Sequence, residues 1–300
     1  MVSYYAMMLI LPRRADMPSR LSLWLQAGGA ALLTLLLLAA IFFSQSRGPW
    51  LGLGVGLFVF ISLLLWRSQS HAKVHNAFKL KRGLQIAFGV WMLVAVAGIA
   101  FIIAFNVSDD PMFKPLRNMP YIGRLGSLLD ATEGTGRVRY LIWNGDEYAG
   151  GARELIVADP LHTVVGWGPE SMFVAFNPFY PPTLVEVESR GASPDRSHNA
   201  FLDEIVTKGV LGLISYLFLI FSYAALSWRL MRHSHEWPWQ VFFIACFSAV
   251  IGHIFEGVTG IPIVATLTML WVTMAMTVVG GMLTGHALLP SPLLGERGRG

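Results

Sequence analysis

Long apolar runs alternate with short polar connections along this chain, and one connection, near the middle, is far longer than the rest. No Asp, Glu, Lys or Arg lies between Arg20 and Arg47, between Arg47 and Arg67, between Arg82 and Asp109, between Lys208 and Arg229, between Glu236 and Glu256, or between Glu256 and Glu296. Each gap can hold the roughly 20 apolar residues a helix needs to cross a bilayer, and a helix satisfies its own backbone in lipid. The pattern predicts six spans, over 21–43, 50–66, 84–105, 209–228, 239–255 and 261–283. The expected fold class is an all-α polytopic membrane protein with one long, partly helical extracytoplasmic loop.

Composition agrees. With 54% hydrophobic and 13% charged residues and a mean hydropathy of +0.56, the chain is too apolar for an ordinary soluble domain. Cys246, the one cysteine, falls inside a predicted span, so no intrachain disulfide is possible. The early basic cluster precedes a full-length span, unlike a cleavable signal peptide.

Basic residues set the orientation. Arg13, Arg14 and Arg20 precede the first span; Arg67, Lys73, Lys79, Lys81 and Arg82 separate the second from the third; Arg229 and Arg232 lie between the fourth and fifth; Arg297 and Arg299 end the chain. With six spans all four groups share one side, the cytoplasm, which places 109–208 outside. That segment carries nine basic and fourteen acidic residues, a net of −5, and the remainder carries +9. The basic balance is thus a topology signal and no argument for nucleic acid. The expected organisation is a cytoplasmic end of a missing helix with a basic segment (1–20), three spans (21–105), an extracytoplasmic catalytic loop (106–208), three spans (209–285) and a cytoplasmic tail (286–300). The segment 1–12 is apolar but too short to cross a bilayer, as expected for the end of a helix whose beginning is absent.

Within this frame, Ser44 to Pro49 reads as a tight outer hairpin with Gly48 and Pro49 as breakers, and Arg47 as its only charge. A cation there either meets an anion or snorkels to headgroups. Gly52, Gly54 and Gly56 offer a small-residue side for helix packing. Asp109 and Asp110 form an adjacent carboxylate pair, a weak metal signal with no further ligand pattern. A helix is expected over 137–158, with Arg139 and Trp143 at i and i+4 so that the guanidinium can sit beside the indole. Asp159 and Pro160 end it, 160–173 is turn-rich, and 177–182 reads as an exposed lid or edge. His253 and Glu256 are ionisable groups near the membrane, either functional or a hydrogen-bonded i, i+3 pair.

The polar segment runs into the fourth span through Arg190 to Lys208. Ser197 reads as an N-cap with His198 in the first helical turn, where the helix dipole disfavours the imidazolium and leaves a ring able to accept a proton. Taken alone, His198 fits a solvated interfacial histidine better.

Four features stand in order: Ser46-Arg47-Gly48; Arg139-x-x-x-Trp143; Gly166-Trp167-Gly168-Pro169-Glu170-Ser171-Met172-Phe173; and Ser197-His198-Asn199-Ala200-Phe201-Leu202 leading into Gly209-Val210-Leu211-Gly212. Together they resemble the O-antigen ligase and O-antigen polymerase superfamily, which includes protein O-oligosaccharyltransferases, over about 4–283 of this chain. The resemblance implies a GT-C type architecture in the plasma (inner) membrane and metal-independent, inverting transfer of a glycan. The donor would be a polyprenyl-diphosphate-linked glycan, and the acceptor a hydroxyl of lipid A core, another glycan or a protein; no cofactor is expected. It implies catalytic roles for His198, Arg47 and Arg139, and substrate contacts from Arg137, Ser46, Trp143, Asn199 and Glu170. Guanidinium groups suit the diphosphate because they bind its oxygens bidentately and stay charged. The competing readings are a transporter lined by Arg47, His253 and Glu256, and a non-catalytic subunit that binds the lipid carrier.

Overall fold

The computed structural model describes residues 20–44, 46–74, 78–108, 110–119, 122–127, 134–189 and 191–285. Expectations for 1–19, Asp109, Arg190 and the tail 286–300 lie outside them. Three long helices come first, α1 (Arg20–Ser44), α2 (Arg47–Val74) and α3 (Phe78–Val107). The hydrophilic segment holds α4 (Gly134–Asn144), α5 (Gly151–Val157) and α6 (Pro160–Val165), with several single turns. Three more long helices follow, α7 (Ala200–His233), α8 (Trp237–Gly257) and α9 (Val264–Leu283). Among the described residues every regular element is helical, and the six long helices have mean hydropathies of 1.6 to 2.6 over their most apolar stretches. The chain is therefore an all-α, multi-pass membrane protein.

The bundle is built around α8, which packs against α2, α7 and α9 and buries Val241, Phe243, Ile244 and Val250. By contrast, α1 and α3 leave Leu32, Leu36, Val94 and Ile99 exposed. In water such a surface would cost about 25 cal/mol per Å² of apolar area, whereas against lipid it is the ordinary face of a spanning helix.

α2 and α8 cross closely. A methyl group placed on Gly52 would lie 2.7 Å from the Gly252 carbonyl oxygen, and one on Gly252 would lie 2.8 Å from that of Gly52. Gly48 and Gly56 extend the contact toward Glu256 and Ser248. The packing face is thus Gly48, Gly52 and Gly56 at a spacing of four, the small-residue pattern that lets backbones approach. Gly54, expected in the same face, meets nothing within 4 Å. Gly48 and Pro49 do not break the chain: both lie in the first turn of α2, where a proline has no intrahelical hydrogen bond to lose. Twenty residues on, Arg67 donates to the Gln240 side chain and the Arg232 carbonyl, each at 3.1 Å. Arg47 and Arg67 are therefore separated by about 30 Å of helix, one hydrocarbon thickness.

The hydrophilic segment has its own core, in which Leu141, Ile142, Ala152, Leu155, Met172, Phe176 and Leu184 meet Val206 of α7. It contains two helices where one is expected over 137–158, because 145–150 forms a turn around Asp146. That carboxylate accepts from Tyr148 and Ala149 N–H and, through its other oxygen, from the Thr183 N–H and hydroxyl. Asp159 starts a new helix, accepting from the N–H groups of Leu161 and His162, so 160–165 is helical. Asn177, Pro178 and Pro182 are exposed, while Pro181 is buried and Phe179 and Tyr180 pack on the core, so 177–182 is an edge of that core rather than a lid.

α7 has 34 residues, about 51 Å of helix against a hydrocarbon core of roughly 30 Å. Gly209 kinks it, with φ 68° and ψ −171°. The kink leaves the Val206 and Thr207 carbonyls without helical partners, and the N–H groups of Trp167 and Gly168 donate to them at 2.8 and 3.0 Å. A side chain at Gly209 would meet the Val164 carbonyl oxygen at 2.2 Å, so only glycine permits both the turn and the crossing.

Candidate active site

His198 sits just outside α7, and its conformation is the most constrained feature of the region. The N-cap is Asn199, whose side-chain oxygen accepts from Phe201 N–H at 3.0 Å and Leu202 N–H at 3.2 Å. Ser197 is therefore not the cap, and His198 lies before the helix rather than in its first turn. His198 has φ 57°, a left-handed conformation that costs a non-glycine residue about 1–2 kcal/mol. The hold comes from Ser197, which is fully buried. Its N–H and hydroxyl both donate to Asp203 Oδ1, at 2.7 and 2.6 Å, and its carbonyl accepts from Trp143 Nε1 at 2.5 Å.

Three parts of the chain converge on this turn. The start of α2 brings Arg47; the Gly48 position faces Glu256 at the end of α8, and Gly257 abuts Ala200 at the start of α7. From the hydrophilic segment, α4 brings Arg139. Burial, and then the charge of Arg47, press the Arg139 guanidinium below its ordinary pKa. Burial first, and then the charge of Arg139, hold the His198 imidazole below its ordinary value, while Asp203, Asp195 and Glu188 oppose them. The neutral ring expected of His198 is thus favoured, with burial and Arg139 as its causes. Among the described residues no carboxylate forms an ion pair with Arg139. Two guanidinium groups held near each other and partly out of water make a site for an anion with several oxygens.

The remaining predicted residues are distributed around this centre. Trp143 uses its indole N–H on Ser197 and its ring on the core, and no ring contact with Arg139 forms among the described residues. Arg137 lies two residues from Arg139, hence on a different helix face, with its guanidinium 5.8 Å from the centre of the Tyr140 ring. Ser46 is exposed immediately before α2. Glu170, at φ 55°, bonds Arg196 and so ties the 166–170 turn to the strand of loop that leads to His198. The oxygen of Asn199 is taken by the cap. Asp110 accepts from Met112 N–H, as the cap of a short turn.

A groove of about 480 Å³ opens beside α2 and α8, lined by Pro49, Gly52, Phe60, Ser248, His253 and Glu256. His253 and Glu256 face it, and among the described residues they make no hydrogen bond to each other. Sequence reasoning missed Asp203 altogether: an acid in the first turn of a helix reads as an ordinary dipole partner, and nothing local shows that it bonds backward to Ser197.

A sequence model of the O-antigen ligase family matches residues 32–217, more than half of the chain and a range that contains Arg47, Arg139 and His198. Neither a curated protein nor a solved structure matches the chain.

Proposed function

Because the chain belongs to the O-antigen ligase family, we propose that it moves a glycan from a polyprenyl-diphosphate carrier to an acceptor hydroxyl, with inversion and without a metal ion. The observation that carries this reading is the convergence of Arg47, Arg139 and His198 from three distant segments, two permanent cations beside one neutral imidazole. Arg47 and Arg139 bind the diphosphate oxygens and take up the charge that grows as the glycosidic C–O bond breaks. The acceptor oxygen attacks the anomeric carbon from the opposite face, its proton passes to His198, and polyprenyl diphosphate leaves with the bonding electron pair. General-base assistance of this kind contributes about 10²–10⁴ in rate. The apolar groove beside α2 and α8 starts two residues from Arg47 and takes the first isoprene units. Ser46, Arg137, Asn199 and Glu170 border the acceptor side. In this reading 106–208 lies outside the plasma membrane, with the basic connections in the cytoplasm.

The test is transfer by the purified protein in nanodiscs, given a polyprenyl-diphosphate glycan and each acceptor class in turn (lipid A core, a second glycan chain, a serine-containing peptide). The expected result is transfer in the presence of EDTA to one acceptor class, with inverted anomeric configuration. Activity abolished by EDTA and restored by Mg²⁺ or Mn²⁺ would overturn the metal-free chemistry, and retention of configuration would overturn the single displacement.

A further inference from the structure

Among the described residues, the mechanism leaves one buried carboxyl group unused. Asp203 is 6% exposed, and both hydrogen bonds it accepts, from the N–H and hydroxyl of Ser197, fall on Oδ1. Among the described residues Oδ2, which is buried, has no hydrogen-bond partner. A carboxylate kept out of water with half its acceptor capacity idle is costly, so its retention calls for a reason. Capping the helix is not that reason, because Asn199 already bonds the first free N–H groups of α7. Packing is not sufficient either, since an apolar side chain of similar size would fill the space without the cost of burying a charge.

Building on the reading of His198 as the base, we propose that Asp203 is its positioning residue: through Ser197 it locks the left-handed turn at His198, and it sets a buried carboxylate toward the imidazolium formed during transfer. The charges that act on His198 are Arg139 on α4, itself influenced by Arg47 on α2, Asp203 on α7, and Asp195 and Glu188 on the preceding loop. Once His198 takes the acceptor proton, the new cation lies beside Arg139, an unfavourable neighbour. Asp195 and Glu188 are exposed, and water screens them. Asp203 is the buried one, so water screens its charge less. The arrangement has the logic of a base oriented and charge-balanced by a third group, with Ser197 as the linker between acid and histidine.

Asparagine separates the two parts of the proposal, since its side-chain oxygen can accept the same two bonds from Ser197 while the charge is lost. The experiment is single-turnover transfer across pH, with donor binding, for wild type, Asp203→Asn, Ser197→Ala, His198→Ala and His198→Ala/Asp203→Asn. Asp203→Asn should bind donor normally and transfer on the order of tenfold more slowly or worse. Its acid limb should move to lower pH, because a histidine deprived of a nearby negative charge holds its proton less firmly. In the His198→Ala background the same change should cost nothing further, as expected for residues that act as a unit. An unmoved limb, or an equal loss with and without His198, overturns the proposal. Should Asp203→Asn lose its fold, Ser197→Ala decides, since it keeps the carboxylate and the backbone bond to it but removes the hydroxyl half of the link: slowed transfer with normal donor binding supports the proposal, and a wild-type rate refutes it. A His198→Ala enzyme that transfers at the wild-type rate would instead bring down the base assignment itself.

Discussion

Replacing Trp143 with phenylalanine removes one hydrogen bond and little else, which makes it a sharp probe of how His198 is held. The indole N–H donates to the carbonyl of Ser197, a residue with no exposed surface, so the variant leaves a buried acceptor without a donor. That omission costs about 1–3 kcal/mol, and the smaller ring leaves some space against the core of the hydrophilic segment. The left-handed turn at His198 is itself disfavoured by about 1–2 kcal/mol, so losing a comparable hold lets the turn relax in a large fraction of molecules. Because the two bonds from Ser197 to Asp203 remain, the lower part of the range applies, and a fall in transfer of about tenfold follows, at roughly 1.4 kcal/mol per decade. Single-turnover transfer, donor binding and thermal unfolding, measured in one nanodisc preparation, resolve the effect. The prediction is slower transfer, lower stability and unchanged donor affinity. A variant with wild-type rate and stability would show that the indole bond does not hold the turn, and one that lost donor affinity instead would move Trp143 into the binding site.

Gly52→Leu should abolish the folded protein, because the new side chain must pass through the Gly252 carbonyl, whereas Gly54→Leu faces open space and should leave thermal stability and yield near wild type; equal outcomes for the two would refute the crossing of α2 and α8. Since the charge of Arg139 depresses His198 and a bound diphosphate neutralises that charge, the acid limb of kcat should lie at higher pH than that of kcat/KM; superimposed limbs, or a kcat limb at lower pH, would contradict the electrostatic link. For the orientation, a cysteine at Ser193 should react with an impermeant reagent on intact cells and one at Ser70 should not, with buried Cys246 replaced by serine; the reverse pattern inverts the topology and removes the site from the donor's side.

The six spans are legible in the sequence because lipid allows so little latitude: each must be apolar over about 20 residues, and the charges that interrupt the runs mark the ends. Tertiary choices are less legible. Gly48, Gly52, Gly54 and Gly56 contain both an alternating and a four-residue pattern, and only the position of Gly252 on a distant helix selects the latter. Ser197 and Asn199 are both competent caps. Which of them caps α7 is settled by Asp203 and Trp143, both of which engage Ser197 and leave Asn199 to start the helix. The break at 145–150 is different in kind, since Asn144-Gly145-Asp146 and Gly150-Gly151 are turn signals within the chain itself, outweighed by the apolar periodicity on either side. Arg47 and His198 stand out as candidates from their motifs, but their meeting with Arg139 depends on the crossing of α2 with α8 and on the abutment of Gly257 with Ala200, neither of which has a local signature.

The central claim is that two fixed cations bind the donor while a neutral imidazole takes the acceptor proton. Donor binding and single-turnover transfer, compared for His198→Ala, Arg47→Ala, Arg47→Lys and Arg139→Ala in one nanodisc preparation, test it directly. The account predicts that His198→Ala binds the polyprenyl-diphosphate glycan nearly as wild type does while its transfer falls on the order of 10² or more. Both alanine variants at the arginines should lose donor affinity as well as rate, with Arg47→Lys intermediate because lysine keeps the charge and loses the fork of donors. Wild-type transfer by His198→Ala, or a loss of donor binding there as severe as at Arg47→Ala, would contradict it.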